Sequence, residues 1–209
     1  MDKFLERQQK QFNRWASFYD ASWFRYLFFE PTYRNIIKLL RIELLGRRTA
    51  RMLDVACGTA EIIARLASEF PDVQFVGADI ATRMIAVAHE KIKLFSNVSI
   101  VETSVTTLPS EDELFDIVLC SDAFHHFEDP REALRSIKRV MKPGGMLLLV
   151  DPAYDTFFQK IVFNVINIID HAKKFYSRKA MEQLLIEINF KIGETQTQYW
   201  HNFYKVINN

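Results

Sequence analysis

Hydrophobic positions along the chain change their period near residue 50. Before that point they recur every three or four residues. Phe12, Trp15, Tyr19 and Trp23 fall on one aromatic face of a helix predicted over residues 3 to 29. Pro31 suits the first turn of a second helix, which runs to Leu45 and stops at Gly46. From Arg51 onward, short apolar runs alternate with helical periods. Strands are predicted at residues 51–56, 73–78, from 98, at 114–121 and at 146–151. Helices are predicted at 61–69, at 82–94 with Met84, Ile85 and Ala88 inward, and at 130–141 with Ala133, Leu134, Ile137 and Val140 on one face. Pro143-Gly144-Gly145 has Pro and Gly where a type II turn wants them. Strands that alternate with helices imply a parallel sheet. The unbroken apolar runs of the fourth and fifth strands predict burial on both faces.

The tail reads differently. Residues 153 to 172 are apolar-rich and helical in pattern. Ser177 suits the N-cap of a helix ending near Asn189, a residue that tolerates the left-handed conformation of a helix stop. Residues 191–197 and 199–206 read as a closing hairpin. The two hairpin strands bring the predicted sheet to seven, mostly parallel.

Composition narrows the class. A chain of 209 residues, 49% hydrophobic and 25% charged, buries a core as one domain without disulfides or metal. Its net charge of +1 provides no global field for nucleic acid or an acidic membrane. Cys57 and Cys120 are the only cysteines, which fits a reducing compartment and buried, reduced thiols. The charged N-terminus is no secretory signal. No stretch approaches the ~20 apolar residues that span a bilayer; the best run, Ile161 to Ile169, is broken by two asparagines. The expected location is the cytoplasm.

Ligands of open α/β sheets bind beyond the carboxyl ends of the strands, so the residues there carry the chemistry. Asp79 follows the second strand, 21 positions after Gly58. At that separation an acidic side chain reaches a pair of ribose hydroxyls. In a dinucleotide-binding turn the three glycine slots would hold Ala56, Gly58 and Glu61. Glu61 would set a carboxylate beside the diphosphate, which disfavours NAD and FAD.

"LDVACGTAE" (53–61) resembles the glycine loop of class I S-adenosylmethionine-dependent methyltransferases. "VGADIATRMIAVAHEK", "TTLP", "FDIVLCSDAFHHFEDP" and "LRSIKRVMKPGGMLLLVDP" resemble that family's later segments, in its order and spacing, from about residue 51 to 152. The nearest subgroup by resemblance methylates small and lipophilic molecules. The resemblance implies a Rossmann-like seven-stranded α/β fold, with helices on both sheet faces and S-adenosylmethionine as cofactor. It divides one domain into a helical N-terminal lid (1–46), a cofactor-binding core (51–152) and acceptor-side helices with the closing hairpin (153–209).

The resemblance also implies roles for single residues. Asp54 and the backbone around Ala56 and Gly58 hold the amino-acid part of the cofactor. Asp79 binds the ribose hydroxyls, and Ile80 and Met84 pack on adenine. Ser104 and Val105 face the adenine amino group; Ser104 departs from the family's Asp, and a hydroxyl bonds more weakly there than a carboxylate. Ser121 flanks the methionine moiety, and Tyr19 closes over the cofactor. Ala60 is the other departure. It is strained if residue 60 is left-handed and well chosen if it simply begins the helix.

His125 and His126 are candidates for a base or for orienting the acceptor; the plainer reading is a turn with local hydrogen bonds. "HHFED" suggests no metal, since adjacent histidines diverge and no third ligand is evident. The N-terminal aromatic face is either a packed helix or a lid. The apolar helix after residue 156 could supply a facing wall, giving a pocket for a lipophilic or aromatic acceptor. Lys173, Lys174, Arg178 and Lys179 either meet an anionic headgroup or form a solvated face. Two other functions remain open: a catalytically degenerate binding or regulatory protein, motivated by Ala60 and Ser104, and an RNA or protein methyltransferase. The near-zero charge, and "SDAF" where such enzymes carry Asn-Pro-Pro-Tyr, speak against the latter.

Overall fold

The computed structural model describes residues 3–19, 29–47, 49–108 and 112–209, without the side chains of 3–5, 15–19 and 169–170. The side chains of Trp15 and Tyr19, and the whole of Trp23, therefore lie outside the described residues. The chain divides into two compact units, Met1–Leu108 and Pro109–Asn209. The first holds β1 (Ala50–Val55), β2 (Val73–Asp79) and β3 (Val98–Glu102); the second holds β4 (Phe115–Ser121), β5 (Met141–Pro152), β6 (Phe190–Gln198) and β7 (His201–Asn208). The seven strands run in the order β3-β2-β1-β4-β5-β7-β6. The pairs β1–β2, β2–β3 and β4–β5 are parallel, and β7 is antiparallel to both β5 and β6. This is the seven-stranded, mostly parallel α/β sheet that the alternation of periods predicts.

In the first unit, α1 (Lys3–Tyr19) covers the first part of the predicted 3–29 helix. Next, α2 (Glu30–Leu45) buries Tyr33, Ile36, Ile37, Leu40 and Leu44 at helical spacing, with Pro31 in its first turn and Gly46 as C-cap. Two short helices connect the parallel strands: α3 (Glu61–Ala67) and α4 (Thr82–Ile92), the latter with Met84, Ile85 and Ala88 inward as expected. Each ends two residues before the sequence pattern does, because backbone turns to the next strand take over while apolar periodicity continues. Gly77 permits a close approach. A Cβ there would lie 2.6 Å from Ile100 Cδ1 and 2.7 Å from Cys57 Sγ. Its absence lets the turn after β1 and the β3 side chain lie against β2.

In the second unit, Ile117–Cys120 and Met146–Val150 are buried throughout, as their unbroken apolar runs require. Gly144 has φ +73, the left-handed value of the third residue in a type II turn. That turn sits within β5, which pairs Met141 with Phe115 before it and Met146 with Ile117 after it. In α5 (Pro130–Val140), Asp129 caps the first turn by accepting from the amides of Arg131 and Glu132. Two helices follow, α6 (Phe157–Asp170) and α7 (Arg178–Glu187). Ser177 accepts from the amide of Ala180, and Asn189 is left-handed at φ +61, both as the sequence predicts. Gln198 pairs with His201, so Tyr199 and Trp200 form a two-residue hairpin turn.

Candidate cofactor turn and acceptor-side histidines

Beyond β1 the backbone is left-handed at alternate residues: Ala56 at φ +59, Gly58 at +54 and Ala60 at +56. Ala60 is thus the strained alternative of the two its sequence position allows, and it forms the N-cap of α3. Hydrogen bonds hold the turn. The Ala60 amide donates to the Cys57 carbonyl (2.9 Å), and the Cys57 amide donates to the Ala78 carbonyl of β2 (3.1 Å). No atom lies within 4 Å of a Cβ built at Gly58, so the turn faces open space there among the described residues. Glu61 is drawn away into ion pairs, 2.6 Å from Lys91 Nζ and 2.8 Å from Arg65. Burial raises its carboxyl, but the two cations outweigh this and hold it below the usual range.

Asp79 is the clamp of the site. Its Oδ2 accepts from the Gly58 amide and its Oδ1 from the Ala81 amide, both at 2.8 Å. Each oxygen has a second lone-pair direction, so the carboxylate can also accept from a pair of hydroxyls. Burial raises the Asp79 carboxyl, against the amide bonds that lower it. Asp54, on β1, is raised well above the ordinary range by burial first and by the Asp79 charge second. Cys57 is half-buried rather than buried as expected, unlike Cys120; burial of its thiol, then Asp54 and Asp79, push that thiol up as well, which favours the protonated form.

Ile80 and Met84 lie on the same side of the unit, where α1 docks. Phe12 packs against Ala81 and Met84. Gln9 Nε2 donates to the Ile80 carbonyl (2.9 Å) and Thr82 Oγ1 (3.2 Å). Asn13 Oδ1 accepts from the Arg83 amide (2.8 Å), which satisfies an otherwise unpaired donor of α4. The sequence singled out the aromatic face of α1, yet two of its polar residues, Gln9 and Asn13, hydrogen-bond to the start of α4. Ser104 begins a 3-10 turn over Val105–Thr107 and closes a capping box with Thr107. Its hydroxyl lies 2.9 Å from those of both Thr106 and Thr107.

The second unit holds the histidines. Ser121 ends β4, half-buried, and Asp122 after it is left-handed at φ +50. His125 and His126 fall in a short 3-10 turn and are both buried. His125 Nδ1 lies 2.8 Å from Asp151 Oδ1, at the end of β5. The His125 ring stacks on Phe175, and its centroid is 4.2 Å from that of His126. His201 Nε2 lies 2.6 Å from Asp122 Oδ1. Asp122, Asp151 and His201 were not among the sequence candidates. Their only signal is position, since the two aspartates follow or end β4 and β5 and His201 begins β7. Among the described residues no group of three or more His, Cys, Asp or Glu is arranged to hold a metal ion.

Known proteins are similar to this chain in sequence and in fold. Residues 53–149 match the family model described as "Methyltransferase domain". The chain is 34% identical over 149 residues to the ubiquinone/menaquinone biosynthesis C-methyltransferase of Pectobacterium carotovorum, covering 68% of this chain and 56% of that protein. It is 31% identical over 115 residues to the demethylmenaquinone methyltransferase of Chlorobaculum tepidum, covering 55% and 46% respectively. The chain thus spans about half the length of these curated relatives. Its fold is similar to that of a SAM-dependent methyltransferase of Thermotoga maritima, with a TM-score of 0.75, 18% identity, and coverage of 96% and 99%. The family match and the curated relatives show that residues 53–149 belong to the class I S-adenosylmethionine-dependent methyltransferases, and the likeness to the solved structure shows the fold.

Proposed function

We propose that this protein transfers the methyl group of S-adenosylmethionine to a small lipophilic acceptor of the quinol type. The observation that carries the reading is the Asp79 carboxylate, held by two backbone amides beside an open turn. The cofactor supplies an electrophilic methyl group on a sulfonium; the protein supplies position and exclusion of water. Asp54 would face the cofactor's ammonium, whose positive charge would stabilise the ionised form that burial disfavours. The backbone at Ala56 and Gly58 would take the rest of the amino-acid part, and Asp79 would accept from the ribose hydroxyls. Ile80 and Met84 would flank the adenine, with Ser104 and Val105 at its amino edge.

The names of the relatives support a quinol acceptor for this chain too. Methylation of a ring carbon is promoted by removing a proton from a ring hydroxyl, which calls for a base. His125 is that base. With Nδ1–H donating to Asp151, the basic atom is Nε2, and the carboxylate stabilises the imidazolium that forms. His126, tilted against this ring, orients the acceptor. The two cysteines are free thiols, which supports a reducing, cytoplasmic setting. No helix of the described residues is long and apolar enough to cross a membrane.

Methyl transfer from labelled cofactor to a reduced demethylmenaquinone analogue with a short prenyl tail tests the reading. Wild type turns over, and His125→Gln loses about 10²- to 10⁴-fold in kcat with cofactor affinity unchanged. Unchanged kcat in His125→Gln removes the base assignment. Cofactor binding without turnover on any acceptor establishes the binding or regulatory alternative instead.

A further inference from the structure

The helix α6 is apolar on both sides. Inward, Phe163 is buried and packs on Phe175, with ring centroids 5.4 Å apart. Outward, Phe157, Ile161, Val165 and Ile168 recur at helical spacing, with Phe158 beside them. They are 80%, 46%, 61%, 72% and 63% exposed in that order. The expected wall of an acceptor pocket is therefore turned to solvent over most of its apolar residues. A contiguous exposed stripe of this kind marks an interaction surface. The hairpin tip extends it. Phe158 meets Trp200 with ring centroids 6.0 Å apart, and Tyr199, next to Trp200, is 57% exposed.

Charge identifies the partner. The chain as a whole carries a net charge of +1, but residues 153–179 hold five Lys or Arg against two Asp. One of these, Asp155, is taken up internally by the Arg178 amide and Asn202 Nδ2. Lys160, Lys173, Lys174 and Lys179 are exposed. Lys160 borders the apolar stripe and the others follow its carboxyl end. Lys173 lies 3.7 Å from Glu128, a loose pair in solvent. Apolar residues on one helix face, lysines at its margin and a Trp–Tyr pair alongside are the chemistry of an interfacial membrane helix. At 14 residues, or about 21 Å, α6 lies along a bilayer surface and is too short to cross it.

We propose that the outward face of α6, with the Tyr199–Trp200 hairpin tip, seats this protein on an anionic lipid bilayer surface. This goes beyond the methyl-transfer reading and stands without it, because vesicle binding and turnover are measured separately. A second copy of the chain is the competing occupant of the same face.

The test is co-sedimentation of the full chain with vesicles of phosphatidylglycerol and phosphatidylcholine, and with phosphatidylcholine alone. Wild type binds the anionic vesicles, weakly or not at all the neutral ones, and salt releases it. The Phe157→Ser/Ile161→Ser/Ile168→Ser variant loses at least about tenfold in partitioning. Lys173→Gln/Lys174→Gln loses affinity for anionic vesicles alone. Cooperative melting and circular dichroism matching wild type establish that each variant is folded. Failure of folded wild type to bind anionic vesicles overturns the proposal, as does equal binding to neutral ones. Sedimentation velocity covers the competing occupant. Self-association of wild type that the triple variant abolishes, without vesicle binding, assigns the face to a second copy.

Discussion

The Gly58 amide donates to one oxygen of Asp79, and the Ala81 amide donates to the other, each at 2.8 Å. One carboxylate thereby ties the turn after β1 to the entry of α4. Asp79→Ala leaves two backbone donors without their acceptor, which costs about 1–3 kcal/mol after relief of the buried charge. Thermal melting of the unliganded protein checks this. A variant that melts at or above wild type would show that the carboxylate does not clamp the turn.

Asp54 should respond with the opposite sign. Burial, and then Asp79, raise its carboxyl well above the ordinary value of 3.8. A carboxyl with a raised folded pKa binds more protons in the fold than in the unfolded chain. Its contribution to stability therefore falls as pH rises from about 4 through the folded value. Asp54→Asn removes that titration. The unliganded variant is expected to match wild type near the acid end and to melt higher at neutral pH. Its cofactor affinity is lower and no longer rises with pH, because no ionised carboxylate forms to meet the ammonium. Parallel melts of the two proteins across this pH range check the sign; a variant that is less stable at neutral pH contradicts it.

Left-handed alanines carry a cost that can be removed. A Cβ in that conformation costs about 1–2 kcal/mol, while a buried methyl contributes about 0.8 kcal/mol. Ala60 is wholly buried and Ala56 is not. Ala56→Gly is expected to gain about 1 kcal/mol, and Ala60→Gly to be nearly neutral. Denaturant unfolding of both variants checks the contrast, which reverses if the turn holds Ala56 without strain.

Asn13 caps α4 from a different helix, so its loss weakens the docking of α1. Asn13→Ala should cost about 1 kcal/mol and increase amide exchange in α1 more than in β1 or β2. Uniform exchange across the unit would mean that α1 is not held by this cap.

The fold was legible where local rules dominate. Ser177 as a cap, the left-handed Asn189, Gly144 in its turn and the doubly buried β4 and β5 all follow from residue type and period. The Gly58–Asp79 separation singled out Asp79 as a ribose ligand, and the bond that it accepts from the Gly58 amide lay outside that reading. Long-range pairing was not legible. The His125–Asp151 pair joins residues 26 apart on different elements. The docking of Gln9 and Asn13 spans about seventy positions. The left-handed Ala56 was hidden, and Ala60 was left between two conformations, for another reason. Alanine gives no sign of the conformation that hydrogen bonding in the turn imposes, and glycine at Gly58 does.

Calorimetric titration of S-adenosylmethionine and S-adenosylhomocysteine into wild type and Asp79→Ala tests the central claim most directly. Micromolar binding by wild type, lost in an Asp79→Ala variant that still melts cooperatively, is the expected result. Stably folded wild type that binds neither ligand, or Asp79→Ala that binds both as wild type does, would contradict a cofactor site built on this turn.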